Sequence, residues 1–240
     1  MPALRPLLCL ASSLALFLPR AGAAQDYVAF RPDLPAGSRY TIDGRKLHPT
    51  QFSLGLREVA AKTRSIDAKS AADLAAYLKA KDVPIVIGPG GVPYMTDGHH
   101  TIRALLESTH ADKTVYGRVL ANWSDLAPES FWARMQTRNF AYLRDCHGRG
   151  PIDPRQLPAD LFAMQHDVYR GLAWAVMNAG GFAERKDVFF QEFFWADYFR
   201  GKVTWNDADD ADFSRAVAIA TTAAQDPAAA ALPGHIAPAR

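Results

Sequence analysis

The first part of the chain alternates between helix patterns and strand patterns. Apolar residues at helical spacing predict three helices, which begin near Phe52, Ser70 and Gly98; the first ends near Thr63. Short apolar runs bounded by Gly, Pro or Asp predict strands at 40–43, 84–87, 92–96 and 115–120. A Gly- and Pro-rich turn joins the middle two strands into a hairpin. The pattern therefore predicts an α+β unit over 25–122.

The second part of the chain, from Trp123 onward, is predicted to be helical throughout. Apolar and aromatic residues follow helical spacing in four segments. The first segment begins near Ser124 or Asp125, and the others span 161–177, 187–199 and 210–222. The sequence thus predicts an all-helical unit over 123–225. It is followed by an Ala- and Pro-rich tail over 226–240 that we expect to be mobile.

The N-terminal residues have the pattern of a secretory signal peptide. Arg5 supplies a positive charge, Leu7 to Leu18 form an apolar run, and small residues follow at 21–24. The run is shorter than the roughly 20 residues that a membrane-spanning helix needs. We therefore expect residues 1–24 to be removed and the protein to be exported, to the periplasm or beyond the cell. No later stretch of the sequence is long and apolar enough to span a membrane.

The predicted leader changes the charge and the cysteine content of the chain. The formal net charge is +2, and loss of Arg5 and Arg20 leaves a mature charge of zero. Bulk charge thus gives no support to nucleic-acid binding, which depends on many contacts from Lys and Arg to phosphates. Cys9 belongs to the leader, so Cys146 is alone in the mature chain and no intramolecular disulfide is expected.

Candidate chemistry concentrates where the 92–96 strand ends, because Asp97 and Gly98 stand there before two histidines. The first turn of a helix has backbone N–H groups without an intrahelical partner and lies at the positive end of the helix dipole. It therefore attracts anions, and phosphate in particular. The side chains expected to surround such an anion are His99, His100, Thr101, Arg103 and Lys62.

Two other interpretations of this segment stay open. Asp97 and His99 have the ligand types that zinc or manganese prefers, although the adjacent His99 and His100 point about 100° apart on a helix. Alternatively, Asp97 caps the helix and both histidines form a polar surface. Within the phosphate-site interpretation, a neutral imidazole such as that of His100 can donate a hydrogen bond or act as a general acid or base.

Charged residues on two other predicted helices have both a structural and a functional interpretation. Glu58 and Lys62 are four positions apart, and a solvated ion pair at this spacing stabilises a helix by about 0.2–0.5 kcal/mol. The sharper alternative is that Glu58 is a catalytic carboxylate. Glu192 stands in a helix crowded with aromatic residues and needs a basic partner, which Arg170 or Arg200 could supply.

Several segments of the sequence resemble the putative ParB-like nuclease family, which belongs to the ParB/sulfiredoxin superfamily. The most specific segment is the Asp-Gly-His-His run at 97–100, in its strand–helix context. The other segments lie at 47–51, 57–62, 84–96, 131–132, 157–158, 167–173, 180–181 and 192–197. The resemblance therefore covers most of the chain after the leader.

This resemblance implies a small mixed sheet with helices and a helix start that binds nucleotide phosphates. Related kinases place acidic residues near the nucleotide, and Glu58 and Asp97 are the nearest matches here. Two departures from the superfamily are evident. His99 stands where sulfiredoxin has a cysteine, and the sequence lacks the arginines and the helix-turn-helix of ParB proteins that segregate chromosomes.

The sequence thus predicts an exported protein that binds a phosphate-containing small molecule or nucleic acid. Its expected activity is phosphodiester hydrolysis or nucleotide-dependent phosphoryl transfer, with a divalent metal ion or a nucleotide as the expected cofactor. The alternative is a non-catalytic module that binds a nucleotide or anion and contacts a partner through its helical part. The candidate catalytic residues are His100, Asp97 and Glu58. The candidate binding residues are Gly98, His99, His100, Thr101, Arg103 and Lys62.

Overall fold

A computed structural model describes residues 26–237, so the predicted signal peptide at 1–24 and the final residues 238–240 lie outside it. The described chain confirms the predicted α+β class, with a mixed five-stranded sheet, a two-stranded sheet and a helical C-terminal part. The strands are β1 (Val28–Ala29), β2 (Arg39–Asp43), β3 (Ser53–Leu54), β4 (Val83–Ile87), β5 (Pro93–Met95), β6 (Thr114–Asn122) and β7 (Gln165–His166). The helices are α1 (Leu56–Asp67), α2 (Ala71–Lys81), α3 (His99–Glu107), α4 (Pro128–Thr137), α5 (Val168–Asn178), α6 (Gln191–Phe199) and α7 (Asp210–Ala224). None of the helices in this range is long and apolar enough to cross a bilayer.

The larger sheet has the strand order β1-β2-β6-β4-β5. It is mixed, because β4 runs parallel to β6 whereas β2 and β5 run antiparallel to their neighbours β6 and β4. All five residues of β4 are buried, as expected for a strand covered on both faces. The antiparallel β4–β5 pair is the predicted hairpin, and it delivers the chain to the start of α3.

The first helix begins four residues later than the sequence predicts, at Leu56 instead of Phe52. The reason is a pairing that no local pattern shows: β3 forms a parallel ladder with β7, more than a hundred residues away in the chain. Gly55 then caps α1 and touches α5, because a Cβ built on Gly55 would lie 2.6 Å from the Cα of Gly171. This close approach fixes α1 against α5.

Three of the predicted C-terminal helices need correction. The 161–177 segment contains a short 3-10 helix and β7 before α5 begins at Val168, because the side chain of Asp167 caps α5 by accepting two backbone N–H groups. The predicted 187–199 helix starts only at Gln191, since Phe190 adopts a left-handed backbone with φ 60°. The helix expected near Ser124 starts at Pro128, where proline fits the first helical position.

The C-terminal residues 226–237 pack against the helices, whereas the sequence predicts a mobile tail over 226–240. Ala229 is fully buried in the cluster formed by α5, α6 and α7. The backbone carbonyl of Pro233 accepts a hydrogen bond of 2.8 Å from the indole nitrogen of Trp195. Small residues permit this close packing where local composition suggests disorder.

The two parts of the chain on either side of the predicted boundary, between residues 122 and 123, pack against each other. Leu161 and Met164 lie in the second part but are buried in the core cluster of the α+β part. The α+β part also contacts the helical part through the β3–β7 ladder and through α1 against α5. As a result, side chains from both parts meet at one place, next to the start of α3.

Two buried histidines at the start of α3 hold the segment that leads into α1. Nε2 of His99 accepts the backbone N–H of Thr50 at 3.1 Å, and Nε2 of His100 accepts that of Gly55 at 3.0 Å. An imidazole that accepts at Nε2 carries its proton at Nδ1, so both rings are neutral. Burial, followed by the charge of Arg170, lowers the pKa of His99 to about 3. Burial lowers the pKa of His100 well below its usual range, and the nearby cations add to the effect.

These depressed histidine pKa values predict a loss of stability in mild acid. The histidines of the unfolded chain take up protons near pH 6.5, whereas those of the folded chain do not. Their contribution to the free energy of unfolding is therefore complete above that pH, and it is lost as the pH falls toward the folded pKa of about 3. The slope is about 1.4 kcal/mol per pH unit for one such group. The variant His99→Gln keeps an acceptor for Thr50 but does not titrate.

We expect urea unfolding to show that the wild type loses about 2 kcal/mol more than His99→Gln between roughly pH 7 and pH 5. Equal losses in the two proteins would contradict the assignment of a neutral, buried His99.

Candidate functional site

The start of α3 presents three backbone amides without a partner. Gly98 precedes the helix in the left-handed region, with φ 87°, and no side chain caps the helix. Within residues 26–237, no acceptor pairs with the N–H groups of His99, His100 and Thr101. Asp97 accepts only the N–H of Gly98, at 2.6 Å, so the interpretation of Asp97 as the helix cap is wrong. The amides are left for a ligand or for water.

The residues that carry these amides line a cavity of about 480 Å³ between α3, α1 and the segment that enters α6. Five basic and four acidic side chains line it, together with three phenylalanines. The basic residues are Lys62, Lys81, Arg170, Arg185 and Lys186. The acidic residues are Glu58, Asp97, Glu184 and Glu192, and the aromatic residues are Phe189, Phe190 and Phe193. The cavity therefore offers cations, carboxylates and an apolar surface within one enclosure.

Glu58 is the centre of a buried ion network. Its carboxylate contacts Arg170 at 2.9 Å and Lys62 at 2.9 Å, and its side chain is only 4% exposed. Arg170 contacts Glu192 in turn, at 3.0 Å. The interpretation of Glu58 and Lys62 as a solvated surface pair is therefore wrong, because Glu58 is buried and also pairs with Arg170 of α5. The predicted contact of Arg170 with Glu192 is present.

The network keeps its two cations charged. Burial works against the charged form of Arg170, but the carboxylates of Glu192 and Glu58 outweigh it and raise the Arg170 pKa. The pKa of Lys62 is raised in the same way, because the attraction of Glu58 exceeds the cost of burial. Nε of Arg170 is buried and has no hydrogen-bond partner among the described residues.

Among the acidic residues that line the cavity, Asp97 and Glu184 make no ion pair within residues 26–237, and Asp97 is the one beside the start of α3. Asp97 is exposed to solvent, and its surroundings desolvate the carboxylate only in part. This desolvation, with the charge of Glu192 adding to it, raises the Asp97 pKa despite the opposing Gly98 amide, Lys62 and Arg170. A carboxyl group with a raised pKa is a stronger base than an ordinary aspartate once it is ionised.

The two histidines line the cavity but are not polar surface residues, since only 2% of His99 and 7% of His100 are exposed. Nε2 of His100 lies 3.6 Å from the Glu58 carboxylate and accepts the Gly55 amide. Its lone pair is therefore occupied, which leaves it unable to accept a proton in this arrangement. The prediction of His100 as a general base is not supported by this geometry.

Arg103 lies outside the cavity, contrary to the expectation that it surrounds the anion. Its guanidinium contacts Glu107 at 2.6 Å and the carbonyl of Leu161 at 2.6 Å, and it covers the ring of Phe162. The 3-10 helix after Asp160 draws this side chain to the opposite side of α3. Of the predicted binding residues, Lys62 and the run 98–101 do line the cavity.

A metal ion does not fit the predicted pair of Asp97 and His99. The Nε2 lone pair of His99 is used by Thr50, and its Nδ1 carries the proton. Across residues 26–237, no three His, Cys, Asp or Glu side chains gather closely enough to hold a metal ion. Cys146, which is free, is not among the residues that line the cavity.

Sequence reasoning missed the far wall of the cavity, residues 184–190. This segment contributes Arg185 and Lys186 together with Phe189 and Phe190. The adjacent Arg-Lys pair just before an aromatic run was the available signal. The helical pattern at 187–199 covers part of this segment, and such a pattern gives no sign of a binding surface.

The comparisons with known proteins agree with this fold. The family model described as putative ParB-like nuclease matches residues 40–201. The crystal structure of protein Atu1540 from Agrobacterium tumefaciens superimposes with a TM-score of 0.73 at 32% sequence identity, covering 86% of this chain and 100% of that chain. No curated protein matches the sequence. Because the family model spans well over half of the chain, the protein belongs to the putative ParB-like nuclease family.

Proposed function

We propose that the protein binds a phosphoester with one phosphate at the start of α3 and hydrolyses a phosphodiester bond there. The observation that carries this proposal is the set of three unpaired amides, at His99, His100 and Thr101, on residues that line a cavity with both basic and acidic walls. Unpaired amides at the positive end of a helix are the general means by which proteins bind phosphate. The putative nuclease family supports the choice of a phosphodiester.

The ion network explains why the phosphate would bind to the backbone amides of α3 and not to a single arginine. Glu58 and Glu192 together neutralise Lys62 and Arg170, so these four side chains have no net charge. Lys62 still reaches the ligand side, since its Nζ lies 3.3 Å from Oγ1 of Thr101. Lys81 and Lys186 add positive charge at the walls, which offsets Asp97 and Glu184. Arg185 adds no net charge, because its guanidinium pairs with Asp187 at 2.7 Å.

In the proposed reaction, Asp97 is the general base. It takes a proton from a water molecule, whose oxygen attacks the phosphorus. The bond from phosphorus to the leaving oxygen breaks, and that oxygen takes a proton from solvent. The amides of α3 and the Lys62 ammonium stabilise the charge that develops on the phosphate oxygens. A hydroxyl group in place of water would give phosphoryl transfer, the second reaction of this kind that the site supports.

A second candidate function is binding without catalysis. It is favoured by the state of the other predicted catalytic groups, because the lone pair of His100 accepts a backbone N–H and Glu58 is held by two cations. In that case, the cavity retains a nucleotide or another phosphate compound and the helical part contacts a partner. Asp97 decides between the two functions.

We also propose that the protein is exported, with residues 1–24 as a cleaved signal peptide. The support is the sequence pattern of a charged start, an apolar run and small residues.

Replacing Asp97 by asparagine is predicted to stop turnover without preventing binding. Asn keeps the size and can still accept the Gly98 N–H, but it cannot take a proton from water. We expect the kcat for bis(p-nitrophenyl) phosphate to fall by about 100-fold or more, with the affinity for inorganic phosphate changed by less than about threefold. The control is Asp125→Asn, an exposed position outside the cavity. Unchanged turnover in Asp97→Asn would contradict the proposed base, and phosphate binding by a wild type without turnover would favour the non-catalytic function.

A pair of cation variants tests the placement of the ligand. Lys62→Gln removes the ammonium beside Thr101 while Arg170 still compensates Glu58, and we expect KM to rise about tenfold, the effect of a lost charged hydrogen bond. Arg103→Gln is expected to leave KM unchanged because its side chain faces away from the cavity. A raised KM in Arg103→Gln with an unchanged KM in Lys62→Gln would contradict the proposal, because the ligand would then lie near Arg103, outside the cavity.

The export proposal predicts that the protein recovered from the periplasm or the culture medium lacks its first residues. N-terminal sequencing is expected to start near Ala24 or Gln25. An intact N-terminus on protein confined to the cytoplasm would contradict export.

A further inference from the structure

The wall opposite α3 has no regular secondary structure, and its aromatic residues pack on Phe140 and Tyr142. Residues 183–187 are exposed, and the segment 184–190 forms no helix or strand. Phe190 ends it in the left-handed region with φ 60°, a conformation that a bulky side chain adopts only when its surroundings impose it. The exposed start of the segment needs an anchor of its own if it is to keep Arg185 at the cavity.

Gln191 provides such an anchor. Its side chain is buried, with 3% exposure, and both ends of its amide are used. Oε1 accepts the backbone N–H of Arg185 at 2.7 Å. Nε2 donates to the carbonyl of Ala183 at 2.7 Å and to that of Pro233 at 2.9 Å. One side chain therefore joins both ends of the wall segment to the C-terminal residues.

The C-terminal residues strengthen the same junction from outside the cavity. The backbone N–H of Ala183 donates to the carbonyl of Gly234 at 2.8 Å. The fit leaves no room for a side chain, since a Cβ on Gly234 would lie 2.0 Å from the Ala183 carbonyl oxygen and 2.7 Å from Nε2 of Gln191. Gly234 itself does not line the cavity.

We propose that Gln191 is a positioning residue, which holds the wall segment 184–190 against the cavity. Residues 233–234 support this position through their hydrogen bonds to Gln191 and Ala183. The consequence for the substrate rests on the proposed function, whereas the anchoring of the wall does not. Loss of the anchor frees the wall that contacts the non-phosphate part of the ligand, while Asp97 and the α3 amides stay in place.

The experiment compares Gln191→Ala and Gly234→Ala with matched controls in the full-length protein. Gln136→Ala removes an exposed amide that bonds only within α4. Gly180→Ala adds a methyl group at a left-handed glycine with no atom within 4 Å. Hydrogen exchange of the Arg185 amide measures the anchor, and the kinetics of bis(p-nitrophenyl) phosphate hydrolysis measure its consequence.

We expect the Arg185 amide to exchange about tenfold faster or more in both test variants and not in the controls. KM is expected to rise several-fold in both test variants while kcat changes little. General destabilisation does not produce a change in KM alone. Because Gly234→Ala leaves every cavity residue intact, a rise in its KM cannot come from a lost contact to the substrate.

Two results would overturn the proposal. Unchanged exchange of Arg185 in both test variants would show that Gln191 is not the anchor. Faster exchange with unchanged KM would show that the wall plays no part in binding. A wild type that hydrolyses no phosphodiester would contradict the proposed function instead, and the exchange result alone would then decide whether Gln191 holds the wall.

Discussion

The buried contact of Glu58 with Arg170 is the interaction on which the rest of the site depends. Two charges this deep are stable only as a pair, and removing one partner of such a pair costs about 3–5 kcal/mol. Glu58 lies on α1 and Arg170 on α5, so the pair joins the α+β part to the helical part. Glu192 extends it to α6, and the cavity lies between these elements because the network holds them there.

The same network accounts for the state of the histidines. A protonated His100 would stand beside Arg170 and Lys62, which already compensate Glu58 and Glu192. The site therefore favours neutral imidazoles, and their Nε2 atoms hold the chain at Thr50 and Gly55. Asp97 is the unpaired carboxylate beside the start of α3, and the proposed chemistry depends on its exchanging a proton with a ligand or with water.

The sequence predicted the start of α3 because glycine after a strand and before a helix is a local signal. The sequence could not place the Arg103 side chain, because its direction depends on which element packs beside it. That element is a 3-10 helix almost sixty residues later in the chain, whose Leu161 carbonyl accepts a hydrogen bond from Arg103. The sequence misjudged Glu58 for the same reason, because its partner Arg170 is 112 positions away. Helix periodicity holds within one element, whereas burial is decided by pairings such as β3 with β7.

The most direct test of the account is whether phosphate binds to the α3 amides. In an ¹⁵N-labelled wild-type protein titrated with inorganic phosphate, we expect saturable changes in the amide resonances of His99, His100 and Thr101, with smaller changes elsewhere in the cavity. Shifts that spread over exposed lysines without saturating, or no shift at these three amides, would contradict it.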